Sequence, residues 1–301
     1  MLRSWLEKMF TYFIRVDGSP TYSFLTALSG GIFNIVFDYI FIGQLHMGIT
    51  GAALATFLGL LLSFVMGVVY FVTHPNFLHF TFHGLSIKEA FHSMVNGTSE
   101  FVNQLAIAIT TVIFNRSALL FAGEDGVAAY GTIMYVNFIF VAIYFGYSIG
   151  SAPIVSYHYG AQNHKELKNL LNKSLRFTGI CGIFMFILAQ LIATPLARIF
   201  VGYDVDLFEL TRHGFRIYCT TFLVCGLNIY GSSFFTALNN GLLSALISFL
   251  RTLVFQVSAV LILPIFFAID GIWSSVLLAE LLTLVVTAIC IIKKRSRYHY
   301  F

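Results

Sequence analysis

Residues 49–73, ITGAALATFLGLLLSFVMGVVYFVT, form an apolar run with no charged side chain and no proline. A helical residue advances about 1.5 Å, so about 20 apolar residues cross the ~30 Å hydrocarbon core of a bilayer. The run is too long and too continuously apolar for a strand of a membrane barrel, in which apolar and polar side chains alternate. It therefore predicts a transmembrane helix.

The whole chain has the composition of a membrane protein. Of its 301 residues, 58% are hydrophobic and 10% are charged, whereas soluble domains have roughly 45–50% apolar and about 25% charged residues. The basic residues are not gathered on one amphipathic face, so no nucleic-acid partner is predicted; the expected partner is the lipid bilayer. The four cysteines lie in apolar stretches without a CxxC pair, which indicates neither a disulfide framework nor a zinc site.

Further apolar windows recur along the chain, and we predict an all-α membrane protein with about eight transmembrane helices. Most breaks between the windows are short and contain Gly, Asn or Asp, as tight connections do. Two longer connections are predicted, at residues 73–94 and at the basic segment 157–172. The predicted spans are residues 21–43, 49–73, 94–122, 126–150, 168–197, 207–235, 241–267 and 269–292.

The distribution of Lys and Arg predicts the orientation, because cytoplasmic loops carry an excess of these residues. One set of alternating loops, together with both termini, holds Arg3, Lys8, Arg15, Lys88, Lys165, Lys168, Lys173, Arg176, Lys293, Lys294, Arg295 and Arg297. The opposite loops have few basic residues and hold Glu124, Asp125, Asp204, Asp206, Glu209 and Asp270. Both termini are therefore expected in the cytoplasm.

Three polar residues stand out at bilayer depth. Asn34 and Asp38 are four residues apart and share one face of the first span, while Thr56 lies early in the next, antiparallel span. Their oxygens are the hard ligands that a sodium ion accepts. The carboxylate could instead carry a proton, or Asn34 and Asp38 could form a hydrogen-bonded pair that packs helices.

Other intramembrane polar residues are weaker candidates for binding a cation or substrate. Glu100 could equally be a solvated acid at a helix start. Arg251 and Glu280 lie near the middle of the last two spans, and a structural ion pair between them is the preferred interpretation. Arg116 and Arg216 could extend to the interface or line a cavity. The candidates in this second group are Glu100, Gln104, Asn228 and Glu280.

The sequence carries no enzyme motif that we can identify. His158 and His164 lie in a basic loop without a third ligand at zinc spacing. A GxxxxGK[ST] sequence for binding ATP phosphates is absent. We therefore expect neither an enzyme nor a bound cofactor, and no metal other than a sodium ion at Asp38; the energy source would be a Na⁺ or H⁺ gradient.

Five short motifs in a fixed order resemble the multidrug and toxic compound extrusion (MATE) family, especially its bacterial and archaeal DinF-like and MepA-like branch. The resemblance covers nearly the whole chain. The motifs are GIFNIVFDYIFI around Asn34 and Asp38, GITGAALAT from Gly48, PIVSYHYGAQ from Pro153, FFTALNNG from Phe234 and IDGIW from Ile269.

This resemblance implies helices five to twelve of a twelve-helix, two-lobe fold. Residues 1–20 would be an amphipathic segment, the remainder of helix four, and residues 21–73 the last two helices of the amino-terminal lobe. A cytoplasmic inter-lobe linker would occupy 74–93, the six-helix carboxy-terminal lobe 94–292 and a basic cytoplasmic tail 293–301. Helices one to three have no counterpart, so we expect an N-terminally truncated copy or fragment.

The resemblance also implies a function and a site. Such proteins exchange Na⁺ or H⁺ for organic cations and drugs by alternating access, here in the plasma membrane of a prokaryote. Asn34, Asp38 and Thr56 match three members of the family's cation site, whereas its helix-one Asp has no counterpart. The alternatives are a lipid-linked saccharide flippase of the same superfamily and an inactive membrane remnant; the oligomeric state stays open.

Overall fold

The computed structural model describes residues 2–73, 77–78 and 86–298, with the backbone alone for residues 2–8, 89, 92, 95–100, 102–103 and 296. The chain divides into two compact units, Met1–Ser86 and Ile87–Phe301. All regular structure in the described residues is helical. The prediction of an all-α protein is confirmed.

The first unit contains three α-helices. They are α1 (Leu2–Val16), α2 (Pro20–Asp38) and α3 (Gly48–Thr73), and a π-helical turn, Tyr39–Gln44, continues α2. Pro20 occupies the first turn of α2, where its missing N–H costs no helical hydrogen bond.

The second unit is built from longer helices. Its elements are α4 (Ile87–Gly160), α5 (His164–Val201), α6 (Val205–Tyr218), a 3₁₀ turn (Cys219–Thr221), α7 (Phe222–Ala237), α8 (Gly241–Phe249), a π-helical segment (Leu250–Gln256) and α9 (Val257–Tyr298). Short polar side chains start three of them. Asn163, Asp204 and Asn240 each accept a hydrogen bond from a backbone N–H in the first turn of α5, α6 and α8.

Five helical segments in the described part of the chain are long and apolar enough to cross a membrane. Two of them contain a backbone break. The helix α4 is interrupted at Ala122 and Gly123, and α9 is interrupted at Ala268, at the boundaries predicted between spans. The predicted span 207–235 falls on α6, the 3₁₀ turn and α7. The segments are Pro20–Gln44, Gly48–Thr73, Gln104–Gly160, His164–Val201 and Gly241–Arg295.

The predicted long connection at residues 157–172 is wrong. Helix α4 continues to Gly160 and α5 begins at His164. Hydropathy marks only the part of a helix that lies in lipid, whereas a polar helix can extend beyond the bilayer surface. Asn163 marks the start of α5, because its side-chain oxygen accepts a hydrogen bond from the Glu166 N–H at 3.2 Å.

The reversal at Ala268 depends on close backbone packing. Ala268 has a φ of 47°, in the left-handed region. A Cβ atom at Gly271 would lie 2.5 Å from the Leu263 carbonyl carbon and 2.6 Å from the Pro264 nitrogen. Only glycine fits at position 271, because the parts of α9 before and after Ala268 approach each other too closely there for a Cβ atom.

Many large apolar side chains point away from the protein. Ile49 is 90% exposed, Leu191 73% and Leu242 70%. Soluble monomers rarely show extended apolar surface of this kind. In a multi-pass membrane protein it is the surface that meets the lipid.

Glycine allows α2 and α3 to pack at close range. A Cβ atom at Gly59 would lie 2.6 Å from the Gly30 carbonyl oxygen. The Ser63 hydroxyl on α3 donates to the Thr26 carbonyl oxygen on α2 at 3.1 Å. We call this contact between α2 and α3, formed at Gly30, Gly59 and Ser63, the α2–α3 seam. It lies about one helical turn from Asn34 and Thr56.

We therefore expect Gly59→Ala to destabilise the first unit. Overpacking of a tight contact typically costs about 1–3 kcal/mol, so the midpoint of thermal unfolding in detergent, followed by circular dichroism, should fall. The matched control is Gly31→Ala, because a Cβ atom there would meet nothing within 4 Å. Equal midpoints for the two variants would contradict the close packing.

Candidate functional site

The predicted residues of the first unit come together across the α2–α3 seam. The Asn34 Nδ2 atom lies 3.5 Å from the Thr56 Oγ1 atom, a long hydrogen bond. The Thr56 hydroxyl donates to the Ala52 carbonyl oxygen of its own helix at 2.9 Å. The Thr56 oxygen therefore uses its proton within α3 and has its lone pairs available toward α2.

Asp38 is the last residue of α2 and directly precedes the π-helical turn. Its Oδ1 atom is buried and has no hydrogen-bond partner among the described residues. The π-helical turn brings the Leu45 N–H to the Ile40 carbonyl oxygen at 2.9 Å, and such turns are frequent at functional sites. A buried carboxylate oxygen without a donor is costly, so this atom requires a cation, a proton or a water molecule.

A second polar cluster lies inside the other unit. The Glu280 Oε1 atom accepts from Arg251 Nε at 2.7 Å and from Arg251 Nη2 at 2.6 Å. Asn228 Nδ2 donates to Glu280 Oε2 at 2.7 Å and to the Glu280 carbonyl oxygen at 2.8 Å. Glu280 is 4% exposed and Asn228 is fully buried. The predicted Arg251–Glu280 ion pair is confirmed.

The two carboxylates thus differ in what holds them. Both oxygens of Glu280 already have donors, and the Arg251 guanidinium balances its charge. Among the described residues, no donor reaches the Asp38 Oδ1 atom.

The remaining candidates are less informative. Gln104 is exposed on α4, and the side chain of Glu100 lies outside the described residues. Arg116 and Arg216 are exposed, which fits both positions considered for them. The roles of Glu100 and Gln104 in binding stay predictions.

Two polar groups in the protein interior were not predicted from the sequence. Asp17, directly after α1, is fully buried. Its carboxylate accepts from the backbone N–H groups of Phe77 and Leu78, each at 2.7 Å, and from the Tyr70 hydroxyl at 2.9 Å. The other group is a set of hydroxyls on α7 and α8, whose spacing of four residues places them on one helix face but does not identify the helix that this face contacts.

Comparison with known proteins identifies the family. The MatE family model matches residues 100–262, more than half of the chain. The chain is 21% identical over 287 residues to the multidrug export protein MepA of Staphylococcus aureus strain MSSA476, across 95% of this chain and 63% of that protein. MepA of Staphylococcus saprophyticus is 20% identical over 293 residues, with the same coverage.

Solved structures share the fold. An outward-facing multidrug resistance MATE family transporter of the MOP superfamily has a TM-score of 0.91 at 20% identity, covering 98% of this chain and 67% of that one. A MATE in complex with MaL6 gives 0.92 at 19% identity, with the same coverage. A MOP superfamily transporter from Pyrococcus furiosus gives 0.91 at 20% identity, covering 97% of this chain and 66% of that one.

The long apolar helices and their lipid-facing surface define a multi-pass membrane protein. The chain belongs to the MatE family, which confirms the family resemblance of its motifs. Members of this family are transporters and not enzymes, as the sequence predicted. The chain spans 63% of the length of the curated relatives that it matches.

The Arg251–Glu280 pair gives a stability prediction. Removing one partner of a buried ion pair leaves an uncompensated charge and typically costs about 3–5 kcal/mol. We expect Arg251→Leu to lower the thermal midpoint sharply and Arg251→Leu/Glu280→Leu to recover most of the loss. An Arg251→Leu protein as stable as the unchanged chain would show that the pair does not bear charge in the folded state.

Proposed function

We propose that this protein functions in a cation-coupled antiporter, which exports organic cations or drugs by alternating access in exchange for Na⁺ or H⁺. The single observation that carries the proposal is the buried Asp38 Oδ1 atom without a partner, on the same helix face as Asn34 and across the seam from Thr56. The proposed location is the plasma membrane of a prokaryote, with both termini in the cytoplasm.

The chemistry of the three residues supports coupling to a cation. A carboxylate, an amide carbonyl and a hydroxyl offer only oxygen ligands, the type that hard cations prefer. A proton on Asp38 would equally supply the missing donor. Either ion removes the cost of a lone buried charge, so its binding and release change which conformation of the helices is favourable.

The relatives support the substrate class. The matched proteins are named multidrug export proteins, and the outward-facing structure is of a multidrug resistance transporter. These descriptions concern proteins of greater length. For this chain, organic cations as substrates remain part of the proposal.

A lipid-linked saccharide flippase is the less supported alternative. Such a protein needs unpaired basic side chains within the membrane to bind a diphosphate. Arg251, one of the three intramembrane arginines considered, is already neutralised by Glu280 at 2.6 Å.

The test is ion-driven uptake of a fluorescent organic cation into everted membrane vesicles, the direction that corresponds to export from the cell. We expect Asp38→Asn to abolish export, because the amide can neither take up a proton nor neutralise a cation. Asp206→Asn, at an exposed helix start outside the site, is the matched control and should leave export unchanged.

Separate collapse of the Na⁺ and the H⁺ gradient with ionophores identifies the coupling ion. Unchanged export by Asp38→Asn would remove this residue from the mechanism. Export that survives loss of both gradients would overturn antiport itself.

A further inference from the structure

Four hydroxyls form a connected cluster between α7 and α8. Ser232 Oγ lies 2.9 Å from Ser244 Oγ and 3.0 Å from Ser248 Oγ, and Thr236 Oγ1 donates to Ser244 Oγ at 2.7 Å. Ser232 and Thr236 are one turn apart on α7, as are Ser244 and Ser248 on α8. We call these four side chains the hydroxyl cluster.

The hydroxyl cluster continues the buried polar group around Glu280. Asn228 precedes Ser232 by one turn on α7, and Arg251 follows Ser248 by three residues. One turn corresponds to about 6 Å along the helix axis, a gap that one water molecule bridges with two hydrogen bonds of about 2.8 Å. Polar side chains therefore line one seam from Glu280 to Thr236.

Two buried polar atoms without a hydrogen-bond partner among the described residues also lie along this seam. Asn228 is fully buried and Thr287 is 2% exposed, and no described residue is a hydrogen-bond partner of Asn228 Oδ1 or Thr287 Oγ1. Thr287 lies against α7 beside Ser232, because its Cγ2 atom is 2.4 Å from where a Cβ atom of Gly231 would be. Buried polar atoms of this kind normally bind internal water.

The end of α7 lies at the protein surface. Asn239, two residues after α7, is exposed, and its backbone N–H donates to the Thr236 carbonyl oxygen at 2.9 Å. Asn240 Nδ2 donates to the Tyr298 hydroxyl at 2.7 Å. The orientation proposed above puts this end in the cytoplasm.

We propose that the hydroxyl cluster, with water at Asn228 Oδ1 and Thr287 Oγ1, is a proton relay that connects the cytoplasm to Glu280. The relay makes Glu280 a second ion-responsive site, in addition to Asp38. This inference rests on the proposed antiport function, whose coupling ion at this second site would be H⁺.

The relay conserves atoms and charge. A hydronium ion at Asn239 gives a proton to Thr236, and each hydroxyl oxygen forms a bond to the incoming proton as its own proton passes to the next oxygen. The bridging water finally gives a proton to a Glu280 carboxylate oxygen. The hydroxyls and the water are regenerated, and the Arg251–Glu280 pair changes from net neutral to a net charge of +1.

The groups that face Glu280 favour a proton over a metal cation. Arg251 is a cation in contact with the carboxylate, and it would repel a sodium ion placed beside it. A proton needs no separate position, because it binds the carboxylate itself. Among the described residues, Tyr218 at the end of α6 and Cys225 on α7 also interact electrostatically with Glu280.

The test follows protonation of Glu280 directly and requires no transport. The 301-residue chain is placed in lipid nanodiscs, and the carboxylic-acid C=O stretch is recorded by infrared spectroscopy after a rapid drop in pH. The band of Glu280 is identified by its loss in Glu280→Gln. We expect it to grow on acidification in the unchanged chain.

Removing the hydroxyls should slow this protonation and leave its final extent unchanged. In Ser232→Ala/Ser248→Ala we expect a rate lower by about tenfold, the effect of one or two hydrogen bonds lost from a transition state. Ser274→Ala is the matched control, because that hydroxyl donates only to carbonyl oxygens of its own helix. Thr236→Val tests the outer end of the relay with nearly unchanged shape, should the double variant fail to fold.

Two results would overturn the relay. One is the absence of a band that depends on Glu280 at every pH at which the chain stays folded. The other is an unchanged rate in a folded Ser232→Ala/Ser248→Ala or Thr236→Val protein, which would leave the cluster as a packing contact between helices. The infrared test involves no substrate, so its outcome is independent of whether the vesicles show transport.

Discussion

The hydrocarbon interior of a bilayer offers no water to a peptide N–H or C=O group, and the structure depends on this constraint. Helices satisfy these groups within one segment, so the described chain is built from them. At Ala268 the reversal of α9 is closed by the backbone contact of Gly271 with Leu263 and Pro264.

Polar side chains inside the bilayer also need hydrogen-bond partners. Glu280, the hydroxyl cluster and Asp38 differ in how this need is met. Glu280 is saturated by Arg251 and Asn228, so it stabilises the packing of α7 and α9. The hydroxyl cluster is satisfied largely by its own members. Asp38 keeps one buried oxygen for which the described residues supply no donor, and this unmet requirement supports the ion site proposed there.

The sequence predicted much of this arrangement. Hydropathy located the breaks at Ala122–Gly123 and Ala268, and the depth of two opposite charges predicted the Arg251–Glu280 pair. It missed the helical ends of α4 and α5, because polar helix beyond the lipid looks like a loop. The hydroxyl cluster was also missed, since serines at a spacing of four are common in apolar helices and do not reveal which neighbour they face.

The sequence by itself therefore determined that this protein crosses a membrane, where its helices run and which polar residues lie within them. Only the tertiary structure decided how those residues pair. Asn228 meets Glu280 across 52 positions of sequence and Asn34 meets Thr56 across 22. Burial of apolar surface adds up along the chain and can be read from composition, whereas a hydrogen bond depends on distances of a few tenths of an ångström between distant segments.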